Sequence, residues 1–193
     1  MPVLRKMHEL AITNRDQATA WLLTGAIFFA MRSCEYLTVQ GDRKTKQLRL
    51  RNIRFYRHGK EILHHDPTLL NSDYISITFE DQKNGKQFDT ITIQSARDLL
   101  LCPVRTWGNI IQLLFKCPGT SPDTLVNSFY SNGKLHKIIG DDMMKALRGA
   151  ATSISKDTLG FEPNEIGTHS IRSRSTMGMY LAEVPVYTIM LIS

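Results

Sequence analysis

Apolar residues near the start of the chain recur at the spacing of helices. The stretch from Leu4 to Ile12 predicts a short amphipathic helix. Asn14 and Gln17 have the spacing of a capping box, so a second helix is predicted to begin there and to continue to about Met31. Because this helix is apolar on nearly all sides towards its C-terminal end, we expect it to pass through the core.

The middle of the chain changes to short alternating runs that are typical of strands. Residues 48–57 alternate apolar and basic side chains and predict a strand, which turns at His58-Gly59. Alternation over 75–80 predicts a half-buried strand, and residues 90–93 predict the strand that returns beside it. Between these two, Asn84-Gly85 favours a tight hairpin, since both residue types readily adopt positive φ.

Helical spacing returns in the second half of the chain. Helices are predicted to begin near Pro103, at Asp141, after a Thr168 N-cap and after Pro185, with a short strand at 125–130 and a turn at 131–133. The pattern as a whole predicts an α+β fold. We expect a mainly helical single domain over residues 1–193, with a small antiparallel sheet.

Composition is that of an ordinary globular protein, with 42% apolar and 22% charged residues. The chain has 24 Lys and Arg against 18 Asp and Glu, a formal charge of +6, which favours a polyanionic partner. No apolar run approaches the roughly 20 residues that a membrane-spanning helix needs, and the N-terminus does not resemble a signal peptide. A membrane protein is therefore not expected.

The cysteines and histidines do not indicate a metal site or a disulfide framework. Cys34, Cys102 and Cys117 are odd in number and far apart, which favours reduced thiols in an intracellular protein. The His58, His64 and His65 group has no partners at zinc-like spacing. We expect neither a metal nor a cofactor.

Two pairs of polar residues are candidates for chemistry. Arg32 and Glu35 follow the predicted core helix, where an unpaired charge would be costly to bury. His169 and Arg172 are three apart at the start of a late helix, so they share a face beside backbone N–H groups that favour an anion. Each pair also has a simpler interpretation: Arg32 and Glu35 pair with each other, and His169 and Arg172 lie on a solvated helix face.

Basic residues concentrate in the predicted sheet. The alternation places Arg49 and Arg51 on an exposed strand face, and Lys83 and Lys86 lie at the tip of the predicted hairpin. A solubilising face is the commoner meaning of such a pattern. Contacts with a polyanion are the alternative.

The order of these motifs resembles the catalytic domain of tyrosine recombinases, the phage-integrase type of site-specific recombinase. In that family a helix ends in Arg-x-x-Glu/Asp, matched by Arg32-Ser-Cys-Glu35, a hairpin carries a lysine, matched by Lys83, and a His-x-x-Arg helix follows, matched by His169-Ser-Ile-Arg172. The segment from Ser170 to Ile192 more specifically resembles recombinases of Crypton-like eukaryotic mobile elements. The resemblance covers residues 14–193 and implies the DNA breaking-rejoining fold.

The resemblance implies DNA strand cleavage and rejoining through a phosphotyrosine intermediate. Transesterification at a phosphodiester builds negative charge on the non-bridging oxygens, and preorganised guanidinium groups bind that charge in a bidentate manner. Arg32 and Arg172 are expected in this role. Glu35 is expected to orient neighbouring catalytic side chains.

Proton transfer is assigned by the same resemblance. Lys83 is the expected donor to the departing 5′ oxygen, with Lys86 as the reserve choice. His169 would hydrogen-bond the phosphate or handle the proton of the nucleophile. Flanking phosphates of double-stranded DNA are expected to contact the remaining basic residues, namely Arg43, Lys44, Lys46, Arg49, Arg51, Lys86 and Arg174.

Two departures from the family limit the expected activity. The family's nucleophilic tyrosine lies a few dozen residues past His-x-x-Arg, after a further His/Trp site, whereas this sequence ends 21 residues past Arg172. Tyr180 and Tyr187 are expected to be packing residues. The separate N-terminal domain with which these enzymes clamp DNA is also not expected.

These departures predict a chain that binds DNA without cleaving it. We expect it to be monomeric, although the full-length enzyme would self-associate, and to be nuclear in a eukaryotic host. An alternative is a non-catalytic DNA-binding or regulatory protein that retains the recombinase fold. A type IB topoisomerase shares the fold and the chemistry, but the sequence phrases fit recombinases better.

Overall fold

The computed structural model describes residues 2–38, 45–82, 85, 87–181, 183–186 and 189. Across these residues there are seven α-helices: α1 (Pro2–Leu10), α2 (Asn14–Phe28), α3 (Ser33–Tyr36), α4 (Pro103–Phe115), α5 (Gly140–Thr152), α6 (Lys156–Leu159) and α7 (Thr168–Leu181). The strands are β1 (Ile53–Arg57), β2 (Lys60–Ile62), β3 (Tyr74–Asp81), β4 (Gln87–Gln94), β5 (Ser128–Ser131) and β6 (Lys134–Lys137). The predicted α+β class is therefore confirmed.

Helix α2 begins one residue away from its predicted cap. Thr13 is the N-cap, with its hydroxyl accepting from the backbone N–H of Asp16 at 3.2 Å. The Asp16 carboxylate in turn accepts from the backbone N–H of Thr13 at 3.2 Å, which completes a capping box. The predicted Asn14–Gln17 box is wrong, because Thr13 and Asp16, which are also three residues apart, form the box one residue earlier.

The end of α2 is also earlier than predicted. The helix stops at Phe28 rather than Met31, because Ala30 adopts a left-handed φ of 48°. The backbone N–H of Met31 then bonds back to the carbonyl of Ala26 at 2.9 Å. This reversal gives Arg32 an extended conformation at the start of the separate short helix α3.

The main sheet is antiparallel, with the strand order β2-β1-β3-β4. Ile75, Ile77 and Phe79 alternate into the core on β3, as predicted. The turn at His58-Gly59 is confirmed, with φ of 51° and 74° in the left-handed region. The β3–β4 hairpin is confirmed as well, and Gly85 at its tip has a φ of 80°.

The strand predicted from residue 48 is wrong in its first half. Residues Leu50–Asn52 form a 3₁₀ helix instead, and β1 begins at Ile53. The cause is the neighbouring loop: the backbone N–H groups of Leu50 and Arg51 bond to the carbonyls of Thr124 and Pro122, at 3.0 and 2.9 Å. These bonds fix Arg49 and Arg51 against residues 122–124 rather than on a strand face.

The core is organised around the contact of α2 with α4. Trp107 of α4 is fully buried and packs edge-to-face on Phe29, with 6.3 Å between ring centroids. Gly25 of α2 permits this approach, since a Cβ there would lie 2.7 Å from the indole ring. Helix α5 contributes Met143 and Leu147 to the same core.

The second half contains elements that the sequence did not predict. The sequence predicted neither α6 nor the 3₁₀ helix at Pro163–Glu165. The turn predicted at 131–133 joins β5 to β6 in a two-stranded hairpin. Helix α7 starts within one residue of its predicted cap. The helix predicted after Pro185 falls mostly outside the described residues.

Three expectations about composition can be compared with the structure. All three cysteines are free thiols. Over the described ranges, no helix has the length and hydrophobicity to cross a membrane. The same residues contain no group of His, Cys, Asp and Glu that could hold a metal ion.

Candidate functional site

Arg32 and Glu35 form a closed turn directly after α2. The Glu35 carboxylate accepts a hydrogen bond from the backbone N–H of Arg32 at 2.7 Å. Its other oxygen accepts from Nη1 of Arg32 at 3.4 Å. The simple pairing of these two residues is therefore confirmed, and the Arg32 guanidinium is held at the surface of the turn with 23% of its side chain exposed.

Glu35 is a buried carboxylate, with 4% of the residue exposed. Burial raises the pKa of its carboxyl group, because the charged form loses hydration. The backbone hydrogen bond from Arg32 and the positive charges of Arg32 and Arg172 oppose that rise. Arg172 is far from Glu35 in the sequence, but it is near enough in the fold for its charge to act on the Glu35 carboxylate.

Arg172 lies in the first half of α7, and its charge acts on Glu35. Its neighbours Ile171 and Ser175 are buried in the core, and Arg172 itself is half-buried. Burial and the positive charge of Arg32 lower the pKa of its guanidinium, while Glu35 and Cys34 partly offset this. Arg172 therefore does not lie on a solvated helix face.

The three residues form what we call the arginine site: Arg32, Glu35 and Arg172. Two guanidinium groups and one carboxylate give these three described residues a net positive charge. Arginine remains protonated in proteins even when its pKa is lowered, so both cations persist at neutral pH. Their forked donors suit the oxygens of a phosphate or a carboxylate. The arrangement can therefore bind an anion.

The proton-transfer candidates lie partly outside the described residues. The backbone of His169 occupies the first turn of α7, one helical turn before Arg172, but its side chain is not described. Lys83 and Lys86 lie outside the described residues. Their predicted roles stay predictions.

The predicted DNA contacts in the sheet region are engaged with carboxylates. We call Lys46, Arg49 and Arg51 the basic stripe; Arg43 and Lys44 were predicted with them and lie outside the described residues. Lys46 pairs with Asp81 at 3.0 Å. Arg51 pairs with Glu80 at 3.0 Å and also with Asp123, and Arg49 lies 3.9 Å from Asp123.

Hydrogen bonds make this pairing specific. Glu80 accepts from Arg51 and from the Asn52 amide, both at 3.0 Å, and these bonds lower the pKa of its carboxyl group. Nη1 of Arg49 donates to the backbone carbonyl of Asp123 at 2.7 Å. The basic stripe is thus part of a network that joins β3 to the loop before β5.

Arg174 lies apart from the arginine site. Residues two apart on a helix point in different directions, and Arg174 borders an apolar cavity of about 490 Å³. Leu4, Ile27 and Phe161 are among the side chains that line this cavity. Arg174, a predicted DNA contact, therefore does not share a helix face with Arg172.

Two tyrosines differ from what the sequence indicated. Tyr180 was expected to pack, but it is 61% exposed near the end of α7. Tyr36 follows Glu35 directly, and burial raises the pKa of its hydroxyl group. Tyr187 lies outside the described residues.

Sequence reasoning also missed Asp123 and Glu80 as partners of the basic stripe. Their separation from it in the sequence is large, and a pairing of this kind is set by tertiary structure alone.

Comparison of the chain with protein-family models, with curated proteins and with solved structures gives no significant match.

Proposed function

We propose that this chain is the DNA-binding catalytic core of a site-specific tyrosine recombinase of the Crypton-like kind. The meeting of Arg32, Glu35 and Arg172 in one positively charged site carries the proposal. The resemblance to tyrosine recombinases assigns these three residues to one catalytic set. Their convergence from α3 and α7 is what a shared role at one phosphodiester requires.

The chemistry of the arginine site fits the first step of that function. Two guanidinium groups would bind the non-bridging oxygens of the scissile phosphate and stabilise the charge that develops there. Glu35 bonds to Arg32 and attracts Arg172, so it would hold both cations in position. The resemblance also assigns His169, whose backbone lies one turn before Arg172, to the same phosphate.

Strand cleavage needs a tyrosine hydroxyl at this phosphate, and two tyrosines near the site are poorly suited to attack. Tyr36 is buried in the core. Tyr180 lies eight residues past Arg172, which is about 12 Å along the helix axis. We therefore propose that these residues bind DNA without forming a covalent adduct.

A non-catalytic DNA-binding protein with the recombinase fold is the second candidate. The burial of Tyr36 and the position of Tyr180 favour it. A nicked suicide substrate, which traps covalent protein–DNA adducts, tests both candidates together. No adduct is expected, and an adduct mapped to Tyr180 would contradict the account of the nucleophile.

The central experiment measures the affinity of the chain for duplex DNA and compares two arginine variants. Arg172→Ala is expected to weaken binding by about ten-fold to a hundred-fold, since hydrogen bonds to charged groups contribute roughly 1.5–3 kcal/mol. Arg97→Ala removes an arginine from an exposed position between β4 and α4 and serves as the matched control. Equal affinities for the two variants would contradict the proposal.

The fold of each variant must be checked by thermal unfolding. The midpoint of Arg172→Ala is expected to stay close to that of the wild-type chain. If the variant unfolds instead, Arg172 has a structural role. Arg172→Lys then decides the matter, because it keeps the charge and removes the bidentate fork.

A further inference from the structure

The hairpin of β5 and β6 carries basic residues that the sequence analysis did not single out. All four residues of β6, Lys134–Lys137, are exposed. The turn before them contains Asn132 and Gly133 at φ of 51° and 75°, the geometry of a tight type I′ hairpin. We call this element the lysine hairpin, defined by Lys134 and Lys137.

The base of the lysine hairpin is fixed to the segment that leaves the arginine site. The side-chain amide of Asn127 donates to the carbonyl of Ile138 at 2.8 Å and to the hydroxyl of Thr38 at 3.3 Å. Thr38 and Ile139 also form a parallel β-bridge. Since Thr38 lies three residues past Glu35, the hairpin has a set position relative to Arg32.

The two lysines point to opposite faces of the hairpin. Lys134 and His136 alternate with Leu135 and Lys137 along the strand. His136 stacks on Phe129 of β5 with 5.5 Å between ring centroids, which holds the strand in this register. The hairpin is therefore a narrow ribbon with one cation on each side.

The charge environment of the lysine hairpin differs from that of the basic stripe. Neither Lys134 nor Lys137 forms an ion pair with any residue in the described part of the chain. The nearby carboxylate of Asp142 is occupied by Arg15. A phosphate that binds these lysines replaces water, whereas a phosphate that binds Arg51 must also displace Glu80.

We propose that the lysine hairpin holds the phosphates of duplex DNA beside the arginine site. A two-stranded ribbon fits the major groove, where a cation on each face meets one of the two phosphate backbones. Strand spacing and the bridge at Thr38 put Lys137 within about 20 Å of Glu35. That length of duplex carries roughly twelve phosphate charges.

This inference rests on the proposed function, since it takes duplex DNA as the partner. The test measures the affinity of the full chain for a duplex over a series of salt concentrations. Each phosphate contact contributes about 0.9 to the slope of log affinity against log salt. The double variant Lys134→Gln/Lys137→Gln is therefore expected to lower that slope by about 1.8.

A matched double variant controls for net charge. Lys60→Gln/Lys116→Gln removes two exposed lysines from β2 and from the end of α4, and neither lysine forms an ion pair with the described residues. Its slope is expected to equal that of the wild-type chain. Thermal unfolding checks that both variants are folded.

Three outcomes overturn parts of the account and can be told apart. An unchanged slope for the hairpin variant, or an equal loss in the control, overturns the role of the lysine hairpin. A wild-type chain that binds no duplex at low salt overturns the hairpin and the proposed function together. If the hairpin variant loses slope while Arg172→Ala binds like wild type, the hairpin role stands and the proposed function fails.

Discussion

The arginine site and the basic stripe contain similar cations, but they differ in the carboxylates around them. Among the residues that the structure describes, the arginine site sets two guanidinium groups against the carboxylate of Glu35. In the basic stripe, three cations meet three carboxylates, those of Glu80, Asp81 and Asp123. The capacity to bind an anion therefore follows the local balance of charge, and the density of basic residues along the sequence is a poor guide to it.

The two carboxylates at the centres of these regions also titrate in opposite ways. Glu80 accepts hydrogen bonds from Arg51 and Asn52 and is stabilised in its charged form, so its pKa is lowered. Glu35 is more deeply buried, and the loss of hydration raises its pKa in spite of Arg32. In the basic stripe, the charged carboxylate of Glu80 joins two elements. In the arginine site, the burial of the Glu35 carboxylate costs free energy of folding.

The largest expected effect on stability is that of Glu80→Gln. Because the pKa of Glu80 is lowered in the folded state, its contribution is present above the unfolded pKa of about 4.5 and is lost as the pH falls through the folded value. At neutral pH the variant should lose about 1–2 kcal/mol of unfolding free energy. Denaturant unfolding at neutral and at acidic pH measures this, and a difference from wild type that persists unchanged in acid would contradict the network.

Glu35→Gln should show the opposite pH dependence. The raised pKa of Glu35 means that its contribution is fully present below the unfolded pKa and is lost as the pH rises through the folded value. The variant should therefore gain stability relative to wild type as the pH rises, by on the order of 1 kcal/mol. Unfolding measured from weakly acidic to neutral pH checks the sign, and a relative loss over that range would show that the ion pair dominates.

The smallest effect is expected when a carboxylate that pairs with the basic stripe is removed. Asp123→Asn removes the exposed carboxylate that pairs with Arg49 and Arg51. Duplex affinity should then rise by about three-fold, the size expected for exposed ion pairs. Binding at low salt measures this, with Asp89→Asn on β4 as the control for net charge. Equal affinities for the two variants would mean that pairing with Asp123 does not limit the binding of DNA by the basic stripe.

Much of the fold could be predicted because its signals are local. The turn at His58-Gly59 and the hairpin tip at Gly85 are set by residues that adopt positive φ. The buried alternation of Ile75, Ile77 and Phe79 sets the face of β3. Such elements need no knowledge of distant residues.

The errors come from contacts between distant parts of the chain. The strand predicted at residue 48 became a 3₁₀ helix because its backbone N–H groups bond to residues 122 and 124. Arg49 and Arg51 were predicted on an exposed strand face because the sequence does not indicate the position of Asp123. The lysine hairpin was overlooked for the same reason, since its link to the site runs through Asn127 and Thr38.

Candidate site residues were predicted by motif, and the structure describes only some of them. It brings Arg32, Glu35 and Arg172 together, and it separates Arg174 from them. The backbone of His169 lies one turn from Arg172, as its spacing indicated. A motif can indicate which residues share a role, but the carboxylates that compete for them depend on tertiary structure.

A double-mutant cycle tests the arginine site most directly. The affinity for duplex DNA is measured for wild type, Arg32→Ala, Arg172→Ala and the double variant. If both guanidinium groups bind the same phosphate, the losses should be non-additive, with a coupling of about 0.5–3 kcal/mol. Strictly additive losses, or no loss in either single variant, would contradict the claim that Arg32 and Arg172 form one phosphate-binding site.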